Sequence, residues 1–145
     1  MALELTVVTP EREVFTGEVH NVVLPGLEGD FGVLEDHERF LTPLRVGEAE
    51  IHWDGKTHYA AVNEGFAEVG AERVVVMVDS WEMAEDIDTA RAEAARARAE
   101  KAIEDIRSGR EDDTSLRVYE GALQRAVIRI QVAHKLGGRS EGRTH

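Results

Sequence analysis

No cysteine occurs anywhere in the 145 residues, which removes disulfides and thiolate chemistry and fits a reducing compartment. Long apolar runs are missing as well. No stretch approaches the roughly 20 residues that a helix needs to span a bilayer, and the N-terminus has no basic segment leading into an apolar core. These absences predict a soluble, intracellular chain. Basic side chains are scarce in one half only: residues 1–84 carry 17 acidic and 5 basic groups, net −12, whereas residues 85–145 carry 12 of each. Lys and Arg must neutralise phosphates before nucleic acid or anionic lipid binds, so the first half is excluded as a surface for either.

Groupings that carry catalysis are absent too. No serine, threonine or lysine is set in a nucleophile-and-base pattern, and the six histidines are scattered, with His52 and His58 flanking a turn at a spacing unlike that of a metal site. Glu35, Asp36 and Glu38 are acids of an expected loop in an acidic protein, and solvation accounts for them. No enzyme, metal or required cofactor is expected.

Proline and glycine are few in one half of the chain and concentrated in the other. Pro10, Pro25, Pro43 and eight of the thirteen glycines precede Ile87, while Ala90, Ala92, Ala94, Ala95, Ala97, Ala99 and Ala102 follow directly after it. Strand patterning thus gives way to helix patterning at Ile87-Asp88-Thr89-Ala90-Arg91-Ala92. The expected division is residues 1–84 as an all-β domain, 85–138 as a helical one, and 139–145 as a disordered tail.

In the first half, Leu3, Leu5 and Val7 alternate with Glu4 and Thr6, the period of a strand with one buried face. Two apolar runs, Val14-Phe15 and Val19 to Leu24, follow, separated by Gly17 and closed by Pro25-Gly26. Asp54-Gly55 stands between alternating segments and predicts a two-residue hairpin, because both positions tolerate positive φ. The run Val74-Val75-Val76-Met77-Val78 lacks alternation and predicts a strand buried on both faces. Eight to ten short strands packed as a β-sandwich satisfy this pattern. Gly26, Gly29 and Gly32 enclose Leu27-Glu28 and Asp30-Phe31, predicting a tight loop that holds Phe31 near the surface. Its two acids and the lack of a following GK[ST] exclude a phosphate cradle.

In the second half, Asp88 to Arg107 contains strong helix formers without Gly or Pro, and Ala92, Ala95, Ala99, Ala102 and Ile106 fall on one stripe. Ser108-Gly109 predicts its stop, and Asp112 to Ser115 supply caps for a second helix. That helix carries the stripe Leu116, Tyr119, Leu123, Val127 and Ile130, with an expected end at Gly137-Gly138. The connection length predicts an antiparallel pair. Its charge is basic from Arg117 onward, with Arg117, Arg125, Arg129, Lys135, Arg139 and Arg143 against Glu120 and Glu141. Arg91 and Arg98 share a face of the first helix, and Arg125 and Arg129 share one of the second. Either these four converge on a polyanion such as a nucleoside triphosphate, or they are solvated or paired with Asp88, Glu104, Asp105 or Glu120.

Several motifs together resemble the epsilon subunit of F-type ATP synthases. They are Val8-Thr9-Pro10, Phe15-Thr16-Gly17, Glu28-Gly29-Asp30-Phe31-Gly32-Val33-Leu34 with His37, Phe40-Leu41-Thr42-Pro43-Leu44, and the joint Ile87 to Ala92. The resemblance implies a ten-stranded β-sandwich followed by a two-helix hairpin. It also implies a monomeric, non-catalytic subunit on the cytoplasmic side of a bacterial plasma membrane, peripheral and attached only through its complex. The implied partners are the gamma subunit, the c-ring and the alpha/beta catalytic head. Gly29, Asp30, Phe31, Gly32, His37 and Phe40 match the segment that meets the ring and gamma. The hairpin is implied to inhibit ATP hydrolysis when extended and, in some members, to bind regulatory ATP when folded. Ile87, Asp88, Arg91 and Ala92 match the I/L-D-x-x-R-A motif of those members, Arg98, Arg125 and Arg129 match their further arginines, and Glu82 falls at another contact position. Glu35-Asp36 and Glu38-Arg39 depart from the family's Pro-Gly and Ala-Pro around the loop histidine, which leaves that turn less constrained. A second reading is a stand-alone β-sandwich that binds a small ligand or peptide, with the helices as an oligomerisation arm.

Overall fold

The computed structural model describes residues 3–33, 38–110 and 115–142, by backbone alone from residue 136 on. The chain divides into two compact units, 1–84 and 85–145. In the first unit ten strands follow one another: β1 (Leu3–Val8), β2 (Glu13–Val19), β3 (Asn21–Gly26), β4 (Gly29–Val33), β5 (Phe40–Leu44), β6 (Gly47–Trp53), β7 (Lys56–Val62), β8 (Gly65–Val69), β9 (Arg73–Val78) and β10 (Trp81–Met83). A short 3-10 turn over Ala84–Asp86 runs from the last residue of the first unit into the second, which holds α1 (Thr89–Arg107) and α2 (Leu116–Gly142).

The strands form one continuous sheet in the order β10-β7-β6-β3-β5-β8-β9-β1-β2, with β4 on the other side of β3. It doubles over where β3 meets β5, a junction reduced to the single pair Gly26 and Leu44. The two resulting layers enclose one core, to which Leu3, Leu5, Val22, Leu24, Ile51, Val62, Val69, Val74 and Val76 all contribute. Alternation explains the assignment of faces. Leu3, Leu5 and Val7 are fully buried while Glu4 between them is exposed, and Ala49 and Ile51 turn inward between Glu48, Glu50 and His52. All pairings are antiparallel except β1 with β9.

Three expectations for this unit need correction. The valine run of β9 is not buried on both faces: Val74, Val76 and Val78 point into the core, Val75 is half-buried and Met77 is exposed. Only one layer covers this strand, so the second face stays open despite its apolar sequence. Gly17 does not separate two strands but lies within β2, opposite Leu5. Nor is Phe31 on a loop. Gly29, at φ 138°, lets the chain reverse through Leu27-Glu28 and return as β4, on which Phe31 pairs with Leu24. At Asp54-Gly55 the expected hairpin is present, with φ of 56° and 69°.

In the second unit, the expected alanine stripe is the buried face of α1: Ala92, Ala99 and Ile106 are buried and Ala95 and Ala102 partly so, joined by Ile103. Ser108 Oγ donates to the Glu104 carbonyl at 2.8 Å, and Gly109, at φ 77°, closes the helix with its N–H on the Ile106 carbonyl at 3.0 Å. On α2, Ala126, Ile130 and Val132 are buried. The expected stop at Gly137-Gly138 is not observed, and α2 continues to Gly142. Glycine weakens a helix by about 1 kcal/mol relative to alanine but keeps its N–H in the ladder, so it does not by itself end one. Asp112, Asp113 and Thr114, the expected caps, lie outside the described residues.

Candidate functional sites in the two units

The first candidate site is the β3–β4 turn. Gly26 has no room for a side chain, since a Cβ there would lie 2.6 Å from the Gly29 carbonyl oxygen and 2.9 Å from the Phe31 ring. The turn is tied down from β5 and the residue after it: Leu27 N–H donates to the Pro43 carbonyl at 3.1 Å, and Arg45 N–H to that of Pro25 at 2.9 Å. Asp30 forms an ion pair with Arg45, and Leu27 at the tip is 63% exposed. Gly29 and Gly32 are exposed, and Phe31 is half-buried, packed edge-on against Phe40 with ring centroids 5.7 Å apart. Five of the six expected contact residues therefore belong to β4 and the start of β5. His37, the sixth, lies outside the described residues, as do Glu35 and Asp36.

The second candidate is the outer face of the layer β5-β8-β9-β1, which composition does not reveal. Pairing aligns Pro43, Phe66, Met77 and Val8 in one row across four strands. Phe66 is 51% exposed and Met77 41%, and Leu41 nearby is 63% exposed. Beside them Arg39, Phe40, Glu68, Gly70, Glu72 and Arg73 border an open groove of about 880 Å³. A row of apolar side chains bordered by charge is the pattern of a protein contact surface. The signal was in the sequence, in the apolar residues at the odd positions of a strand whose even positions fill the core. Both sets are valine- or methionine-rich, so they read as one continuous buried run.

The third candidate is the start of α1. Asp88 adopts extended backbone angles, φ −80° and ψ 98°, and its Oδ1 accepts from the Arg91 N–H at 3.1 Å, capping the helix. Ile87 and Ala92 are buried. Three of the four motif residues thus have packing or capping roles, and only Arg91 directs a charge to solvent. Arg98 is exposed on the same helix, and Arg125 and Arg129 are half-buried on α2, which packs against α1. Two of the four expected acid partners are engaged within α1 and its C-terminal turn. Asp88 is bonded to a backbone N–H, and Asp105 pairs with Lys101 at 3.5 Å and Arg110 at 3.2 Å. Glu82 lies on β10, opposite Ala61 in the first unit. No group of three or more metal-ligating side chains occurs among the described residues, and no described helix is long and apolar enough to cross a membrane.

Comparison with known families assigns both units. Residues 2–84 match the beta-sandwich domain of the ATP synthase delta/epsilon chain, and residues 85–134 match its long alpha-helix domain. The chain belongs to the ATP synthase delta/epsilon chain family. Among its relatives, the ATP synthase epsilon chain of Geotalea daltonii is 44% identical over 137 residues, covering 94% of this chain and 97% of the relative. The epsilon chain of Thermodesulfovibrio yellowstonii is 47% identical over 134 residues, covering 92% and 95%. The fold is also that of a chain in the Euglena gracilis mitochondrial ATP synthase, resolved with OSCP, F1 and c-ring, at TM-score 0.67 and 20% identity over 95% of this chain and 81% of that one. A chain of the Tetrahymena thermophila central stalk and c-ring shares it at TM-score 0.52 and 13% identity, over 85% and 97%. Membership gives the chain a non-catalytic place in the ATP synthase complex. A family match that runs through both units leaves the stand-alone binding module without support.

Proposed function

We propose that the chain is the epsilon subunit of the rotating central stalk, which couples ion-driven rotation to ATP synthesis and restrains ATP hydrolysis through its helices. The observation that carries this reading is the match of both units, in order and nearly end to end, to the two domains of one family. In this reading the outer face around Leu41, Phe66 and Met77 docks on the gamma subunit. The β3–β4 turn with Gly29, Asp30, Phe31, Gly32, His37 and Phe40 meets the c-ring or gamma. A net −12 on residues 1–84 favours partners of opposite sign at both surfaces. The complex holds the subunit peripherally at the cytoplasmic side of a bacterial plasma membrane, and the isolated chain is a monomer.

The helical unit acts as a two-state brake in this proposal. Its alanine stripe buries little apolar area per residue, so the compact pairing of α1 is easily exchanged for another. ATP bound by Arg91, Arg98, Arg125 and Arg129, with Ile87, Asp88 and Ala92 completing the site, offsets the mutual repulsion of the guanidinium groups and favours the compact state. When extended, the basic α2 faces the catalytic head.

The deciding experiment is ATP hydrolysis by a catalytic head depleted of its epsilon subunit, with the full chain or a chain ending at Glu85 added back. Inhibition by the full chain alone is the expected result. Equal inhibition by both would move the brake to the sandwich, and failure of either to bind the stalk would overturn the reading.

A further inference from the structure

We propose that Arg45 is a positioning residue for the β3–β4 turn, and that Leu27 and Glu28, rather than Asp30, form the contact face of that turn. The surface they fit is an apolar ledge bearing a lysine or arginine. The proposal rests on the reading that this turn meets the c-ring, and within the turn it moves the contact from Asp30 to the two residues at the tip.

Arg45 sits in the connection between β5 and β6, where it reaches two other segments. Its backbone N–H is bonded to the Pro25 carbonyl at 2.9 Å, just before the turn, and its Nη1 donates to the Val46 carbonyl at 3.2 Å. From there Nη2 reaches Asp30, just after the turn. The side chain crosses directly over Gly47. A Cβ at that position would lie 2.6 Å from Arg45 Nη1 and 2.7 Å from the Pro25 Cβ, so only glycine leaves the path open. One residue therefore holds both arms of the turn, and the Leu27 N–H to Pro43 bond closes its tip against β5.

This arrangement redistributes the chemistry of the turn. The Asp30 carboxylate faces a guanidinium of its own chain, so it is already partnered, and part of its charge offset, before the ring arrives. Glu28 is exposed and forms no ion pair among the described residues, and Leu27 beside it is 63% exposed. A leucine next to an uncompensated carboxylate is complementary to an apolar surface with a cation at its edge. A second copy of this chain is a poor match, because residues 1–84 carry net −12.

The test uses the full chain and purified c-ring, with two readouts: ring binding, and hydrogen exchange at the Leu27 amide of the free chain. Arg45→Met removes the fork and keeps most of the stem, and it is expected to speed exchange and weaken binding together, each by roughly fivefold, the scale of one exposed ion pair. Asp30→Asn should do the same, and the double variant no more than either. The exchanged pair Asp30→Arg with Arg45→Asp should recover both readouts, and Arg45→Lys should recover part. Leu27→Asp and Glu28→Lys should each weaken binding by about tenfold or more with Leu27 exchange unchanged, as expected of direct contacts. A loss of binding in Asp30→Asn that Arg45→Met does not share would overturn the proposal, since Asp30 would then touch the ring itself. Unchanged exchange in Arg45→Met would overturn the positioning role. If the unaltered chain does not bind the ring, the c-ring reading and the contact face fall with it, and exchange alone decides whether Arg45 positions the turn.

Discussion

Asp88 shows how a motif residue can serve local structure before it serves any ligand. Its carboxylate satisfies the Arg91 N–H, one of the donors that the first turn of a helix leaves open. Asp88→Ala is expected to destabilise the helical unit by about 1 kcal/mol, with Asp88→Ser recovering most of it. Denaturant unfolding followed by helical circular dichroism measures both. If ATP binding is lost equally in Asp88→Ala and Asp88→Ser, the residue has a ligand role beyond the cap. Gly65 is a second residue whose identity is forced. A Cβ there would lie 2.0 Å from the Met77 carbonyl oxygen and 2.7 Å from the Val78 Cα, both rigid backbone of the neighbouring strand. Gly65→Ala should therefore separate β8 from β9 and cost about 3 kcal/mol or more, seen as a fall in the urea midpoint. The cap was readable from sequence, because an aspartate before a run of helix formers is a local signal. The constraint at Gly65 was not, because the atom it avoids is twelve residues along the chain.

At the scale of elements, β9 carries two messages in one string of apolar residues. Val74, Val76 and Val78 belong to the core, and Met77, with Phe66 beside it on β8, belongs to a surface. Phe66→Lys combined with Met77→Glu should leave folding within about 1 kcal/mol, since neither side chain is in the core and the two introduced charges face each other as an opposite pair. The same pair should weaken gamma-subunit binding by roughly 2 kcal/mol or more, as loss of central apolar contacts does. Titration of the gamma subunit with the two chains decides it, and unchanged affinity would remove this face from the interface. For α1 and α2, charge reversal of Arg125 and Arg129 should weaken both ATP binding and inhibition of hydrolysis. Unchanged values for both would exclude the pair from regulation. The spacing of these arginines was visible beforehand. That Asp105 pairs with Lys101 and Arg110 emerged only in three dimensions.

At the scale of the whole molecule, the core of the sheet is self-contained: every one of its buried residues, from Leu3 to Trp81, lies within residues 1–84. A chain ending at Glu85 should consequently unfold as one cooperative transition and keep an ordered near-ultraviolet signal from Trp53 and Trp81. A non-cooperative transition would mean that the helices are needed to complete the fold. Independent folding of the sheet is also what allows the truncated chain to separate anchoring from braking in the hydrolysis assay.

Sequence by itself determined what depends on neighbours along the chain: the inward residues of β1 and β6, the Asp54-Gly55 hairpin, the change from strands to helices at Ile87, the cap at Asp88 and the stop at Ser108-Gly109. These follow from side-chain period and from the φ and ψ that each residue tolerates, which a short window contains. Tertiary structure alone decided that β1 runs parallel to β9, that β5 lies between β3 and β8, that Arg45 reaches Asp30 across Gly47, and that one face of the valine-rich β9 stays open. Each of these joins segments far apart in sequence, and which segments meet is set by the free energy of the whole sheet rather than by the preference of any one strand.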